Sequence, residues 1–226
     1  SGIFFAISFN IKIVPLILFV PLISAIGTRS GALRFSLGAS IGVVPFIVLI
    51  LYAGGAAIGN IFGYGSYLEA WGVQALLALF NSYIPFDSLW IIYFKIGKVL
   101  IITGILFCGY QGYRHGWDPI RQVLLSFLIF LLFAPGFGVQ YIIYVTPFLF
   151  LYNFRWGILY AALSGVFIAS VYYNFIVSFD PLESLHNGIF PSGSFSLGLV
   201  VWLLLLYFFY MVSIGQGNMG YDQGNR

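Results

Sequence analysis

The sequence predicts an all-α protein, a polytopic transmembrane helix bundle. Of its 226 residues, 61% are hydrophobic and 7% are charged, and the mean hydropathy is +1.02. One soluble core of this size cannot bury so much apolar surface. Apolar segments recur along the chain, with lengths close to the roughly 20 residues that a spanning helix needs. The arginines lie in short polar breaks between these segments. We therefore expect about seven spans and one helix in the outer interface.

Five apolar segments predict one span each. They are Ile3–Ile26, Phe35–Tyr52, Leu89–Cys108, Gly157–Val177 and Phe195–Ile214. We assign residues 1–214 to the bundle, which we interpret as the C-terminal part of a larger membrane domain because the chain enters an apolar run without an initiator methionine. Residues 215–226 are rich in Gly, Asn and Gln and predict a disordered cytoplasmic tail.

The apolar region Ile120–Tyr152 is too long for one span, since as a single helix it would measure about 50 Å against a hydrocarbon core of about 30 Å. Pro135 and Gly136, both poor residues for a helix interior, interrupt it. We expect two short helices, Ile120–Phe133 and Val139–Tyr152, joined by a tight outer turn. Non-helical backbone at membrane depth needs surrounding protein or water, so this turn is expected to line a cavity open to the outer face.

The arginines test this count, because short cytoplasmic loops carry the excess of Lys and Arg. With seven spans, every arginine lies on the inner side: Arg29, Arg34, Arg114, Arg121, Arg155 and Arg226. Most of the acidic residues and one histidine lie on the outer side: Glu69, Asp87, Asp180, Glu183 and His186. The sequence therefore predicts an outward-facing first residue and an inward-facing tail.

The long outer loop of this topology contains an apolar segment, Tyr67–Phe80, that is too short to span. Ser66 followed three residues later by Glu69 has the pattern of a capping box. We expect a helix lying in the outer interface, with aromatic residues such as Trp71 at the level of the headgroups.

The three lysines, unlike the arginines, lie inside apolar segments. A lysine at the bilayer centre costs roughly 2.5 to 3.5 kcal/mol, less where the side chain can snorkel. Lys95 and Lys98 are three residues apart and share a helix face, and Lys12 enters from the same outer side, just before Pro15 and Pro21. We expect Lys12, Lys95 and Lys98 to bind a lipid phosphate. Snorkelling to the headgroups is the alternative.

Other chemistries have no motif in this chain. We find no phosphate loop, dinucleotide fingerprint or nucleophile elbow, and two distant histidines do not support a metal site. Cys108 is the single cysteine, so no intrachain disulfide can form. The net charge of +3 is explained by the topology and implies no nucleic-acid partner. No cofactor is predicted.

Three stretches resemble a known family. Asn-Ile-Lys-Ile-Val-Pro-Leu at 10–16, continuing to Pro21, and Gly138–Pro147, which contains Gln-Tyr and then Pro, resemble segments of GT-C class membrane glycosyltransferases. The similarity is greatest to the GPI mannosyltransferase I catalytic subunits and to bacterial mannosyltransferases that use polyprenyl-phosphate-mannose. Tyr67–Trp71 followed by Gln74 resembles an outer-loop segment of the bacterial branch, where an asparagine is common in place of the glutamine.

This resemblance implies transfer of a hexose, expected to be mannose, from a polyprenyl-phosphate-linked donor to a glycan or lipid acceptor. The reaction would take place on the outer face with inversion at the sugar carbon. In such enzymes an acidic residue of the first outer loop is the proposed base, and we expect it upstream of Ser1. The membrane would be the plasma membrane in a bacterium or the endoplasmic reticulum in a eukaryote.

The sequence offers four candidates for contact with the sugar or acceptor: Gln140, Tyr141, Glu69 and Trp71. An amide can bind sugar hydroxyls and an aromatic ring can stack on a sugar face. Ordinary roles compete with these: a helix–helix hydrogen bond for Gln140, a membrane-belt position for Tyr141, the capping box for Glu69 and packing for Trp71. A secondary transporter or lipid flippase is the rival function, because interrupted helices and intramembrane charges also mark transport pathways.

Overall fold

The computed structural model describes residues 1–12, 14–62, 71–79, 86–136, 138–177 and 192–216, and every regular element in these ranges is helical. The predicted all-α class is therefore confirmed for this part of the chain. Nine α-helices are described there: α1 Gly2–Ile11, α2 Phe19–Ile26, α3 Arg29–Phe62, α4 Gly72–Leu79, α5 Phe86–His115, α6 Pro119–Phe133, α7 Thr146–Tyr152, α8 Phe154–Val177 and α9 Ser192–Ser213. Two 3₁₀ segments, Val14–Leu18 and Val139–Val145, precede α2 and α7.

Four of these helices are long and apolar enough to cross a membrane: Arg29–Gly55, Ile91–His115, Phe154–Tyr173 and Phe195–Ser213. Their outer surfaces are apolar as well. Only 11% of the apolar stretch in α3 is buried, and Leu51 is 77% exposed. Apolar side chains presented outward in this way are compatible with a multi-pass membrane protein. The further predicted spans are represented by shorter apolar helices.

The chain forms two compact units, Ser1–Tyr64 with Ile102–Ser126, and Gly65–Ile101 with Phe127–Arg226. In the first unit, small residues allow close packing of α1 on α3. A Cβ at Gly38 would meet the backbone nitrogen of Ile3 at 3.2 Å, and a Cβ at Gly42 would collide with the methyl group of Ala6. Small residues four apart, as in Gly38 and Gly42, commonly mark helix crossings in membranes.

The predicted single span Ile3–Ile26 is divided in the structure. The α-helix stops at Ile11, Lys12 adopts an extended backbone, and the chain continues through the 3₁₀ segment before α2 begins. Pro15 lies in that segment, and its missing N–H prevents α1 from continuing in register. The other proline, Pro21, is accommodated in the first turn of α2, where a backbone N–H has no helical partner in any case.

The predicted break in the region Ile120–Tyr152 is confirmed. The helix α6 ends at Phe133, and a turn containing the buried Pro135 leads to the second 3₁₀ segment and then α7. The sequence predicted one short helix from Val139 to Tyr152, whereas its first half is 3₁₀. The helices α7 and α9 both pack on α8 within the second unit.

Within the segment Tyr67–Phe80, predicted as an interfacial helix, the structure describes α4, Gly72–Leu79, which packs on α9. The proposed capping box of Ser66 and Glu69 lies outside the described residues, as do residues 217–226 of the predicted disordered tail. The count of seven spans and the interfacial position of α4 therefore stay predictions.

Candidate functional site

Lys12 stands at the point where α1 ends. Its backbone is extended (φ −146°, ψ 136°), and its N–H donates to the Ser8 carbonyl at 3.1 Å, closing the last turn. The side chain is exposed. A cation at a helix C-terminus is stabilised by the exposed carbonyls. The position of Lys12 therefore offsets part of the free-energy cost of placing its charge in an apolar segment.

Asn10 holds this helix end in place. Its side-chain amide donates to the Ala6 carbonyl in the same helix and to the Gly42 carbonyl of α3, both at 2.7 Å. Gly42 also allows the close approach of α1. The same short region of α3 therefore fixes the position of the end of α1 along α3. The asparagine of the family-like run therefore positions the backbone from which Lys12 projects.

Lys95 and Lys98 lie on α5, with Lys95 exposed and Lys98 half-buried. The ammonium of Lys98 lies 3.7 Å from the centroid of the Phe94 ring, a cation–π contact that offsets part of the cost of placing this charge among apolar residues. Lys12 belongs to the first unit and these two lysines to the second. A common phosphate site for the three stays a prediction.

Gln140 and Tyr141 are half-buried in the second 3₁₀ segment. The Gln140 amide folds back over Gly138 so closely that a Cβ at the glycine would collide with it. Tyr141 contacts Phe130 edge to face with ring centroids 6.3 Å apart, and its N–H donates to the Gly138 carbonyl at 2.9 Å. Gly138 therefore sets the position of the two candidate sugar-contacting side chains.

The end of α6 is covered by aromatic hydrogen-bond donors, and we name this arrangement the α6 carbonyl cap. The indole N–H of Trp71 donates to the Leu131 carbonyl at 2.9 Å, the indole N–H of Trp202 to the Leu132 carbonyl at 3.2 Å, and the hydroxyl of Tyr93 to the Phe133 carbonyl at 3.0 Å. The last carbonyls of a helix have no partner within it, and leaving one bare in an apolar medium costs several kcal/mol. The cap therefore allows α6 to stop among apolar side chains.

The 3₁₀ segment beyond the turn receives similar support. The hydroxyl of Tyr160, a fully buried residue of α8, donates to the Ile142 carbonyl at 3.0 Å. Both sides of the break are thus held by aromatic side chains of other elements. None of the four side chains was predicted to be such a donor. The proline break implied that carbonyls would need partners, but no local signal in the sequence identified them.

Trp71 is 4% exposed, and besides its hydrogen bond its ring lies 5.7 Å from that of Phe167. The structure therefore supports a packing role for Trp71 rather than a place among the headgroups, because a buried ring that bonds to a helix end is committed to the protein interior. Its contact with a sugar stays a prediction. Glu69 lies outside the described residues.

Comparisons with known proteins add no relative: no family model, no curated protein and no solved structure matches the chain.

Proposed function

We propose that the chain is part of a glycosyltransferase that transfers a hexose from a polyprenyl-phosphate-linked donor to a glycan or lipid acceptor on the extracytoplasmic face. The expected hexose is mannose. One observation supports this most. Two family-like stretches, 10–16 (described apart from residue 13) and Gly138–Pro147, both coincide with places where an apolar helix gives way to a 3₁₀ segment. Interrupted helices leave polar backbone groups at membrane depth, where ligands of membrane proteins commonly bind.

The proposed topology has about seven spans, four of them the long helices. At about 1.5 Å per residue the 15 residues of α6 extend about 22 Å, short of a core of about 30 Å. The second 3₁₀ segment with α7 extends about 25 Å at about 2.0 and 1.5 Å per residue. Whether this pair spans twice or forms a re-entrant hairpin, Arg121 and Arg155 stay on the same side of the membrane, so the inward placement of the arginines holds in both cases.

Within this proposal, Lys12 binds the phosphate of the carrier. Its ammonium would attract the bound donor and stabilise the negative charge that develops on the departing phosphate. Gln140 would bind sugar hydroxyls through its amide, and Tyr141 would offer a ring face to the sugar. Lys98, already in contact with Phe94, is expected to contribute less than Lys12.

The test measures binding of a polyprenyl phosphate to the chain in lipid nanodiscs, with the uncharged polyprenol as reference ligand. Lys12→Met keeps an apolar stem of similar length and removes the charge. We expect the ratio of polyprenyl phosphate affinity to polyprenol affinity to fall by about tenfold or more in this variant, because a hydrogen bond to a charged group contributes a free energy of that size. Lys95→Met, a change of an exposed lysine on another helix, should lower this ratio less than Lys12→Met does. Equal preference in the wild-type protein and Lys12→Met would refute the proposed clamp.

A secondary transporter or lipid flippase is the second candidate, because interrupted helices with nearby charges also occur in transporters. The two functions differ in what crosses the membrane. Proteoliposomes with a labelled polyprenyl-phosphate-sugar in one leaflet should keep the intact donor in that leaflet if the first proposal holds. Movement of intact donor across the bilayer would favour the transporter.

A further inference from the structure

A cleft opens in the first unit beside the start of α3. It has a volume of about 340 Å³ and is bounded by α2, the first turn of α3 and the last turns of α5. The floor and walls are apolar, with Val20, Ile23 and Ala32 among the lining residues. This volume is at the lower end of the range for ligand pockets, roughly 300 to 1,000 Å³, which suits part of an acyl chain with its headgroup outside.

The cleft is built into the packing of the unit. Gly109 lets α5 approach α2 so closely that a Cβ there would collide with the Val20 side chain. Ser24 on the wall contacts the side-chain amide of Gln122, which is 1% exposed and donates to the Trp117 carbonyl at 2.9 Å. This buried polar contact fixes α2 against α6 behind the cleft.

The mouth of the cleft is cationic. Arg29 lines it as the first residue of α3, where Thr28 fixes the helix start by accepting a hydrogen bond from the Gly31 N–H at 3.3 Å. Tyr110 lines it from α5 and accepts a hydrogen bond from the exposed Arg114 at 3.4 Å. An apolar cleft with arginines at its entrance is complementary to a molecule with an acyl chain and an anionic head.

We propose that this cleft binds an anionic phospholipid of the cytoplasmic leaflet, with an acyl chain against Val20 and Ala32 and the phosphate at Arg29. In the proposed topology, Arg29 and Arg34 place the cleft at that leaflet, which carries the anionic lipids that attract such residues. Such a lipid site rests on that topology and not on the proposed glycosyl transfer. It is a second lipid contact, distinct from an outer donor site.

The test is native mass spectrometry of the chain released from nanodiscs of phosphatidylcholine and phosphatidylglycerol. It is run after washing at high salt, which screens general attraction to the surface. The wild-type protein should retain phosphatidylglycerol in preference to phosphatidylcholine. Arg29→Gln should lower this preference by about tenfold or more, as expected for loss of a charged hydrogen bond to phosphate. Arg34→Gln, a change of an exposed arginine further along α3, should lower it by less than about threefold once salt screens the surface.

Ala32→Phe tests the apolar part separately, since it fills the cleft without changing the charge. It should reduce retention of phosphatidylglycerol while Arg29 is intact. Equal losses in the Arg29 and Arg34 variants, or equal retention of both lipids by the wild-type protein, would overturn the proposal. Displacement of the lipid by glycerol phosphate alone would also overturn it, because the acyl chain would then contribute nothing. The Arg29 comparison remains decisive if the phenylalanine variant does not fold.

Discussion

Replacing Tyr93 with phenylalanine removes a single hydroxyl from the α6 carbonyl cap. That hydroxyl donates to the Phe133 carbonyl at 3.0 Å, and Tyr93 is buried. The ring remains, so the change removes the hydroxyl alone. Leaving a buried carbonyl without its donor costs about 1 to 3 kcal/mol, while hydrogen bonds between transmembrane helices have averaged nearer 0.6. We therefore expect Tyr93→Phe to lower the free energy of unfolding by about 1 kcal/mol.

The assay is equilibrium unfolding of the purified chain in lipid bicelles, followed by tryptophan fluorescence. This readout is informative because Trp71 and Trp202 belong to the same cap and should move when it opens. Tyr210→Phe is the control, since Tyr210 is 60% exposed on α9 and its hydroxyl should be dispensable. If the two variants lose the same stability to within about 0.3 kcal/mol, the cap does not stabilise the end of α6 and the reasoning fails.

Three further predictions concern packing, the end of α1 and topology. Gly97→Ala should destabilise the chain by about 1 to 3 kcal/mol in the same unfolding assay, because the new Cβ would lie 2.8 Å from the Phe133 carbonyl oxygen; Gly165→Ala, where a Cβ has open space, should be neutral or stabilising. Asn10→Ala should cost about 1 kcal/mol through loss of the bridge from α1 to α3, and an unchanged unfolding midpoint would contradict that bridge. In a background lacking the native cysteine, a cysteine at His115 should be labelled only from the cytoplasmic side and one at Ser184 only from outside, and outside labelling at His115 would overturn the proposed topology.

The interruption after α6 was predictable because its cause is local. Pro135 and Gly136 are both unfavourable in a helix interior, and α6 ends within two residues of them. Proline by itself does not fix a break, since Pro45 lies inside α3. The segment Ile3–Ile26 was predicted as one span although it contains Pro15 and Pro21, and the structure divides it into α1 and α2.

The role of Trp71 was not predictable by the same means. An aromatic residue beside a short apolar segment is typical of the headgroup level, and this pattern predicted an interfacial position. The structure buries the ring against Phe167 and directs its N–H to a carbonyl 60 positions away in the chain. Contacts over such separations depend on which helices become neighbours, and hydropathy along one segment does not contain that information.

The sequence by itself determined the helical class and some of the helix breaks, such as the one after α6, because apolar composition and proline act through local backbone chemistry. Only the tertiary structure decided which side chains satisfy the backbone groups that those breaks release. Trp71, Tyr93 and Trp202 lie in three separate parts of the chain, and its other tryptophans and tyrosines carry the same kinds of donor. The physical reason is that an unpaired carbonyl in an apolar medium is stabilised by any hydrogen-bond donor that reaches it. Which donor reaches it depends on how the helices pack.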